Sequence, residues 1–494
     1  MSEGNVERGE WPTADIPPSW HWADFTQVFA NVTDNDRKLK QKDYEASGLY
    51  PVVDQGMAHI GGYTSDSSLV HPVDPPCVVF GDHTRCVKMI TFPFVQGADG
   101  VKTLKSLLNP RYGYWLLVGI RLPDRGYSRH YQFLRNSLFP IAPLPEQHRI
   151  VEKIEELFSD LDAGVASLER AKANLKRYRA SVLKSAVEGR LTEEWRKEHP
   201  QTEDGQMLLD RILRERREKW EKDQVLKFKE KGKEPPKNWQ SKYEEPSAPD
   251  ASELPELPEG WVWATVEQFS DLENGDRSAN YPSRSHFVSS GIPFINAGHL
   301  ESGRVCYEDM NYITPDKFKS LLAGKVQKGD VLFCLRGSLG KVALIAEEGE
   351  GAIASSLVIL RIMPQISNRL LRIYLQSPRT ASLIAKYDNG TAQPNLSARD
   401  LSRFTFPLPP LAEQEQIVAL VEERLSQIDS AEKTIDAELI RSKRLRQSIL
   451  KRAFEGKLVP QNPKDEPASV LLERIKASRE TEQPQKKAKK VKAK

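Results

Sequence analysis

The sequence predicts an α+β protein: two mixed α/β bodies separated by a long antiparallel two-helix coiled coil, with a pseudo-two-fold internal repeat. Three observations predict it. Residues 144–191 return at 411–458 without a gap, at an offset of 267, with 19 of 48 positions identical, which two unrelated helices do not share by chance. The phrase Ile16-Pro17-Pro18-Ser19-Trp20-His21-Trp22 returns 241 residues later as Leu257-Pro258-Glu259-Gly260-Trp261-Val262-Trp263. Each phrase leads into short β-like runs that close on a proline-rich approach, Phe139-Pro140-Ile141-Ala142-Pro143 and Phe406-Pro407-Leu408-Pro409-Pro410. The offset grows from 241 to 267, so the second body is longer by 26 residues.

Taken in order, residues 1–15 are polar and read as a loose N-terminus. The first body, 16–143, carries strand-like runs at Pro51-Val52-Val53, Cys77-Val78-Val79-Phe80 and Phe92-Pro93-Phe94-Val95, set between Gly, Asp and Pro. A helix is expected at 103–108, ended by the turn Asn109-Pro110-Arg111-Tyr112. The first helical region is 144–200. Residues 201–256 are a charged helix and linker, with the helix at 207–224 and Leu208, Leu209, Ile212 and Leu213 on one face. The second body, 257–410, has strands at Ile292-Pro293-Phe294-Ile295, Val331-Leu332-Phe333-Cys334 and Leu357-Val358-Ile359-Leu360, and a helical stretch at 368–387. The second helical region, 411–478, ends in a short amphipathic helix at 467–478. The tail, 479–494, holds six lysines between 486 and 494 and reads as a solubilising end or a non-specific phosphate contact.

In the first long helix Ile150, Ile154, Leu157, Leu161, Gly164, Leu168, Ala171, Leu175, Tyr178 and Val182 alternate by four and three, a heptad seam. Its copy keeps Ile417, Val421, Ile428, Ala431, Ile435, Leu445 and Ile449, with Leu425 and Leu439 beside Arg424 and Glu438. Prolines bar an earlier start, and Gly189 and Gly456 stand where C-terminal caps belong. A helix of ~43 residues spans roughly 65 Å at ~1.5 Å per residue. Its apolar stripe needs a partner, and the copy supplies one.

Charge and cysteines exclude several classes. With 72 Lys+Arg against 69 Asp+Glu, net charge alone announces no polyanion binder. Cys77, Cys86, Cys306 and Cys334 form no CxxC pair and lack ligand-spaced histidines, which argues against zinc and for reduced thiols. The N-terminus has no apolar core and no run approaches ~18 apolar residues, so neither a signal peptide nor a membrane span is expected. A soluble, cytoplasmic protein is the expectation.

Catalytic motifs fail on inspection. Gly337-Ser338-Leu339-Gly340-Lys341 has Leu335 and Val342 where a phosphate loop needs Gly and Ser/Thr. Asn109-Pro110-Arg111-Tyr112 resembles the Asn-Pro-Pro-Tyr/Phe clamp of amino-methyltransferases, but its third residue is Arg and no Gly-rich cofactor loop accompanies it. His83 lies near Cys77 and Cys86, yet a lone His beside apolar strands reads as a hydrogen-bonded loop residue. A non-enzyme is expected, with no metal and no cofactor bound by this chain.

Two related modules on a stiff spacer suit a bipartite ligand, and duplex DNA offers half-sites about one turn, ~34 Å, apart. Base edges are read by Arg, Lys, Asn and Gln. Candidates in loop-like stretches are Gln55, His83, Thr84, Arg85 and Gln96 in the first body. In the second they are Arg284, Asn296, His299, Arg336, Lys341, Asn389, Thr391 and Gln393.

The residues also carry a resemblance. Leu257-Pro258-Glu259-Gly260-Trp261, the run Phe406-Pro407-Leu408-Pro409-Pro410-Leu411-Ala412-Glu413-Gln414, and residues 448–458 are similar to the specificity (S) subunit of type I restriction–modification enzymes. So are Pro143-Leu144-Pro145-Glu146-Gln147, residues 181–191, Thr192-Glu193-Glu194-Trp195-Arg196, Leu471-Leu472-Glu473-Arg474-Ile475-Lys476-Ala477 and the lysine tail. The first opening phrase departs from the second, with Ile16 and Ser19 where that one has Leu257 and Gly260. The resemblance implies that the bodies are target-recognition domains of a non-catalytic host-defence subunit reading a bipartite, asymmetric double-stranded DNA target. It implies two modification subunits using S-adenosylmethionine for adenine N6 methylation, and two restriction subunits using ATP and Mg2+ for cleavage. Other readings of the same chain are a stand-alone DNA methyltransferase or nuclease, and a coiled-coil adaptor without DNA binding.

Overall fold

The computed structural model describes residues 7–11, 15–250, 252, 254–388 and 394–492. They form two compact units, one of Met1–Glu169 with Ile435–Lys494 and one of Arg170–Thr434.

In the first unit the strand His21–Asp24 pairs antiparallel with Leu138–Ile141, His21 opposite Ile141. A one-turn helix, Phe25–Val28, follows, closed by reciprocal capping between Asp24 and Gln27. Next comes a four-stranded sheet in the order Phe29–Asn31, Val101–Ser106, Cys77–Gly81, Val87–Ile90. A second sheet runs Lys38–Leu39, Val95–Gly97, Tyr50–Val53, Gly62–Thr64. The helix Pro110–Gly119 covers the first sheet through Tyr112 and Leu116. Burial pushes the Tyr112 hydroxyl pKa well up, and the group donates to Pro140 O at 2.9 Å.

The second unit repeats the scheme and enlarges it. Val262–Thr265 pairs with Thr405–Leu408 in the equivalent register, Val262 opposite Leu408. Thr265 and Gln268 form the capping box of the one-turn helix Val266–Phe269. The first sheet has six strands, in the order Ser270–Asn274, Leu357–Ile362, Val331–Cys334, Val342–Leu344, Gly303–Val305, Leu300–Glu301. The second has four: Phe287–Val288, Asn311–Ile313, Ile292–Ile295, Ala352–Ile353.

The long helices are Leu144–Val187 and Leu411–Phe454. Both end as the sequence predicts. Arg190 N–H reaches Ser185 O at 3.0 Å and Lys457 N–H reaches Arg452 O at 2.8 Å, while Gly189 and Gly456 take φ of +67° and +69°. In the first unit Ile150, Val151, Ile154 and Phe158 are buried with Ile449, Leu450, Ala453 and Phe454. Arg446 pairs with Asp162 and lies 4.8 Å from the Phe158 ring. In the second unit Val182, Leu183, Ala186 and Val187 share a core with Ile417, Val418 and Val421, and Arg179 pairs with Asp429 and Glu432. Within each unit one helix rises in number as the other falls, so the segments run antiparallel. The expected seam is less complete than its spacing implies. Tyr178 and Leu445 are 47% and 44% exposed, and Gly164 is exposed, with the Arg179 and Arg446 ion pairs next in sequence to Tyr178 and Leu445.

Each unit has a polar joint at the start of a long helix, and the two are built alike. Glu413, fully buried at the start of the second long helix, accepts from Trp261 Nε1 (2.8 Å), Thr192 Oγ1 (2.6 Å) and Arg196 Nη2 (2.9 Å). Arg196 also donates to Gly189 O at 2.5 Å. Glu146, at the start of the first long helix, accepts from Trp20 Nε1 (3.0 Å) and from Gln461, which also donates to Gly456 O at 3.1 Å. Gln461 thus does for the first unit what Arg196 does for the second, without a positive charge. Burial raises the Glu146 carboxyl pKa, and the bonds from Trp20 and Gln461 only partly oppose this.

Two local expectations are corrected. Residues 103–108 fall in the strand Val101–Ser106, paired with Cys77–Gly81 and Phe29–Asn31, not in a helix. Asn109-Pro110-Arg111-Tyr112 starts a helix instead of ending one. The Asn109 side chain accepts from the N–H groups of Arg111 and Tyr112, and Pro110 occupies the first turn. The charged helix is longer than expected, Gly205–Glu230, and so is the last one, Ala468–Lys492. Within the expected linker, Trp239 and Tyr243 fold back against Trp220.

Candidate nucleic-acid interface

In the first body three loops converge. The hairpin Asp82–Cys86 joins the strands Cys77–Gly81 and Val87–Ile90, and Arg85 takes the left-handed conformation there, φ +61°. Gln55 holds the hairpin from the neighbouring loop. Its Oε1 accepts from His83 N at 3.3 Å and its backbone carbonyl from Thr84 Oγ1 at 2.6 Å. The third loop supplies Asp124, 3.5 Å from Arg85, and Tyr127, whose ring stacks on His83 at 4.6 Å. A backbone N–H from Gly126, with Arg85 beside it, holds the Asp124 carboxyl below its usual range. Gln55, His83, Thr84 and Arg85 therefore form one cluster, rimmed by Tyr127 and Met57, 83% and 88% exposed.

Gln96 does not join them. It is fully buried, donating to Asp34 O at 3.1 Å and accepting from Thr103 Oγ1 at 2.9 Å, so both ends of its amide serve the core.

In the second body Asn296 caps the turn Ala297–His299, accepting from Gly298 N at 2.7 Å. His299 is only 7% exposed and its Nδ1 accepts from Asn296 N at 3.1 Å; burial lowers its pKa. Lys341 donates to Ala297 O at 3.1 Å, which brings it to the same turn. Arg336 is exposed and bridges to Asn395. Arg284 is exposed on a separate turn, Arg284–His286, which leads into the four-stranded sheet. Asn389, Thr391 and Gln393 lie outside the described residues. The geometry thus gives His299 and Asn296 a turn-holding role and leaves Lys341, Arg336 and Arg284 exposed on turns.

Sequence reasoning missed Tyr127 and Met57. The signal for Tyr127 was an aromatic inside the turn-forming run Asp124-Arg125-Gly126-Tyr127-Ser128. Arg-rich, aromatic-bearing loops of this kind can offer charge to phosphates and flat faces to bases. The Gly337–Lys341 segment is the turn between two paired strands, with Gly337 and Gly340 at φ of +76° and +79°, and no helix follows to hold a phosphate. Among the described residues no group of three or more His, Cys, Asp or Glu is placed to hold a metal.

Residues 258–441 match the family model described as the type I restriction modification DNA specificity domain. The chain is similar to type I restriction enzyme specificity subunits. It is 25% identical over 483 residues to the EcoDI specificity subunit of Escherichia coli, covering 94% of this chain and 96% of that one. It is 28% identical over 359 residues to the EcoBI specificity subunit of the same organism, covering 70% of this chain and 65% of the relative. A solved structure described as "Structural basis underlying complex assembly and conformational transition of the type I R-M system" shares the fold. Its TM-score is 0.61 at 17% identity, over 90% of this chain and all of that one.

Proposed function

We propose that the chain is the non-catalytic, sequence-reading subunit of a type I restriction–modification complex. Each body reads one half of a split, asymmetric double-stranded DNA target, and the two long helices form an antiparallel coiled coil that sets the gap between the halves. The same helices dock two modification subunits, which use S-adenosylmethionine to methylate adenine at N6. Two restriction subunits, using ATP and Mg2+, complete the cleaving form in the cytoplasm. One observation above all supports this reading: two bodies, each entered and left through a strand pair of equivalent register, feed helices of 44 residues each. The loop clusters support it second, since each body displays Arg or Lys on exposed turns.

The bodies differ in strand number and loop chemistry, so their half-sites differ too. The test is exchange of residues 16–143 for the corresponding body of a relative, followed by sequencing of methylated sites in a host carrying the whole system. One half-site changes and the other stays. A change in both halves would end the modular reading. Methyl transfer to DNA by the chain alone would replace it with an enzyme, and protection of no defined sequence with the modification subunits would replace it with an adaptor.

A further inference from the structure

The duplication continues past the long helices. Asp204 caps Gly205–Glu230, and its first residue donates to Gly260 O at 2.7 Å; Ala468, first in Ala468–Lys492, donates to Ser19 O at 2.9 Å. Gly260 and Ser19 hold the same place in the two opening phrases. Leu208, Leu209 and Ile212 are buried in the second unit's core, and Leu472, with Leu471 and Ile475 beside it, packs in the first unit's. Each unit therefore roots a third helix at its opening phrase. In sequence, each segment then becomes lysine-rich: Lys222, Lys227 and Lys229 in one helix with Lys231 and Lys233 just past its end, and Lys486, Lys487, Lys489, Lys490 and Lys492 in the other.

In the second unit this lysine-rich part is built, not merely solvated. Arg216 and Lys219 tie the helix to Asp271 at 2.8 and 3.5 Å. Beyond that tie the chain turns at Gly232 (φ +61°), with Lys233 N–H on Phe228 O at 3.0 Å. It comes back so that Trp239 stacks on Trp220 at 5.9 Å and Tyr243 meets Trp220 at 5.3 Å and Arg217 at 5.6 Å. Among the described residues, Lys222, Lys227, Lys229, Lys231 and Lys233 are exposed and none has a carboxylate ion pair. A solubilising charge run needs no aromatic clasp. The clasp sits beside exposed ammonium groups without ion pairs, Lys222, Lys227 and Lys229 over roughly 10 Å of helix at ~1.5 Å per residue and Lys231 and Lys233 in the turn after it, which suits a ligand with closely repeated negative charge.

We propose that Gly205–Glu230 and the segment folded back on it form a basic arm that grips the phosphate backbone of duplex DNA, outside the bases that the bodies read. The proposal rests on the DNA-reading function above and adds a sequence-independent contact to it.

The test uses the full chain and a mixed-sequence DNA duplex, with affinity measured against KCl concentration. Lys222, Lys227, Lys229, Lys231 and Lys233 are changed together to Gln, and in a second variant together to Arg. Each lost phosphate contact flattens the log–log salt slope by about 0.9, so three to five contacts remove roughly 3 to 4.5 from it. The Gln variant is expected to show that flattening, with duplex affinity down at least tenfold at low salt, and the Arg variant to restore both. Trp220→Ala, which keeps every lysine but opens the clasp, should give part of the loss. An unchanged slope in the Gln variant overturns the arm. So does an unchanged slope combined with lost assembly onto a protein subunit, which would assign the lysines to an acidic protein surface. If the wild-type chain shows no salt-dependent binding to duplex at all, the DNA-reading function itself has failed.

Discussion

Replacing Arg196 by Gln makes the second unit's joint a copy of the first. Glu413 is fully buried, and among the described residues Arg196 is its only cationic partner in the joint, with 18% of its side chain exposed. Removing one member of a buried pair costs about 3–5 kcal/mol, because the other charge stays buried. Trp261 and Thr192 remain bonded to Glu413, and the introduced glutamine amide would keep one N–H for it, so the low end, about 3 kcal/mol, is expected. At about 2–4 °C per kcal/mol for a unit of this size, the thermal transition falls by roughly 6–12 °C. Circular dichroism on the full chain reads it, with Lys328→Gln as control. Lys328 pairs with Glu348 at 3.6 Å on the surface, and its loss should cost no more than about 0.5 kcal/mol. The opposite exchange, Gln461→Arg, brings a cation to Glu146 and should raise stability by about 1 kcal/mol or less, since position 461 is exposed. If Arg196→Gln costs no more than the control, the joint is not held by its charge and the reasoning is refuted.

The helix-end glycines offer a geometric check. A Cβ at Gly189 would collide with the Pro258 ring and one at Gly456 with the Pro17 ring, both at positive φ, so each Ala variant should lose more than about 2 kcal/mol in urea titration. Gly232→Ala, at φ +61° with nothing within 4 Å, should lose only about 1 kcal/mol; equal losses at all three would remove the proline contact from the explanation. Glu146 supplies a pH test. Its folded pKa is raised by burial above the ordinary 4.5, so its contribution is complete below the unfolded value and is lost as pH rises through the folded one. Glu146→Gln should therefore match or exceed wild-type stability at neutral pH and flatten the decline above 4.5, whereas a steeper decline would show that the ionised form is favoured. At the interface, Tyr127→Ala and Arg85→Ala should relax recognition of one half-site by about 1–3 kcal/mol per affected base and spare the other, as read by methylation-site sequencing. Relaxation of both would detach this cluster from the first half-site.

Much of the frame was legible because it is written twice. The equivalent registers of His21–Asp24 and Val262–Thr265, and the glycine ends of both long helices, follow from repeated phrases whose meaning proline, tryptophan and glycine constrain. The helix expected at 103–108 is a strand, because the structure buries Val101, Thr103 and Leu104 in a central strand. Pairing partners far along the chain decided that, not local preference. The site was less legible for the same reason. Nothing in Gln55 or Tyr127 announces that each would touch the Asp82–Cys86 hairpin, and nothing in the residue type of Gln96 separates a reader of bases from a buried amide. His299 looked like an exposed loop residue until the turn closed around it.

The first unit is completed from far along the chain: Ile449, Leu450, Ala453 and Phe454 share a core with Ile150, Ile154 and Phe158, and Gln461 completes the Glu146 joint. The second unit is one unbroken stretch, 170–434. During synthesis, therefore, the body made first is finished last. Until residues 435–494 leave the ribosome, the first unit carries an uncovered apolar stripe and a buried-site carboxylate without its Gln461 donor. A chain cut short before residue 435 loses the completion of its earliest-made unit while keeping every residue of the later one, so the cost of a C-terminal nick falls on the N-terminal body.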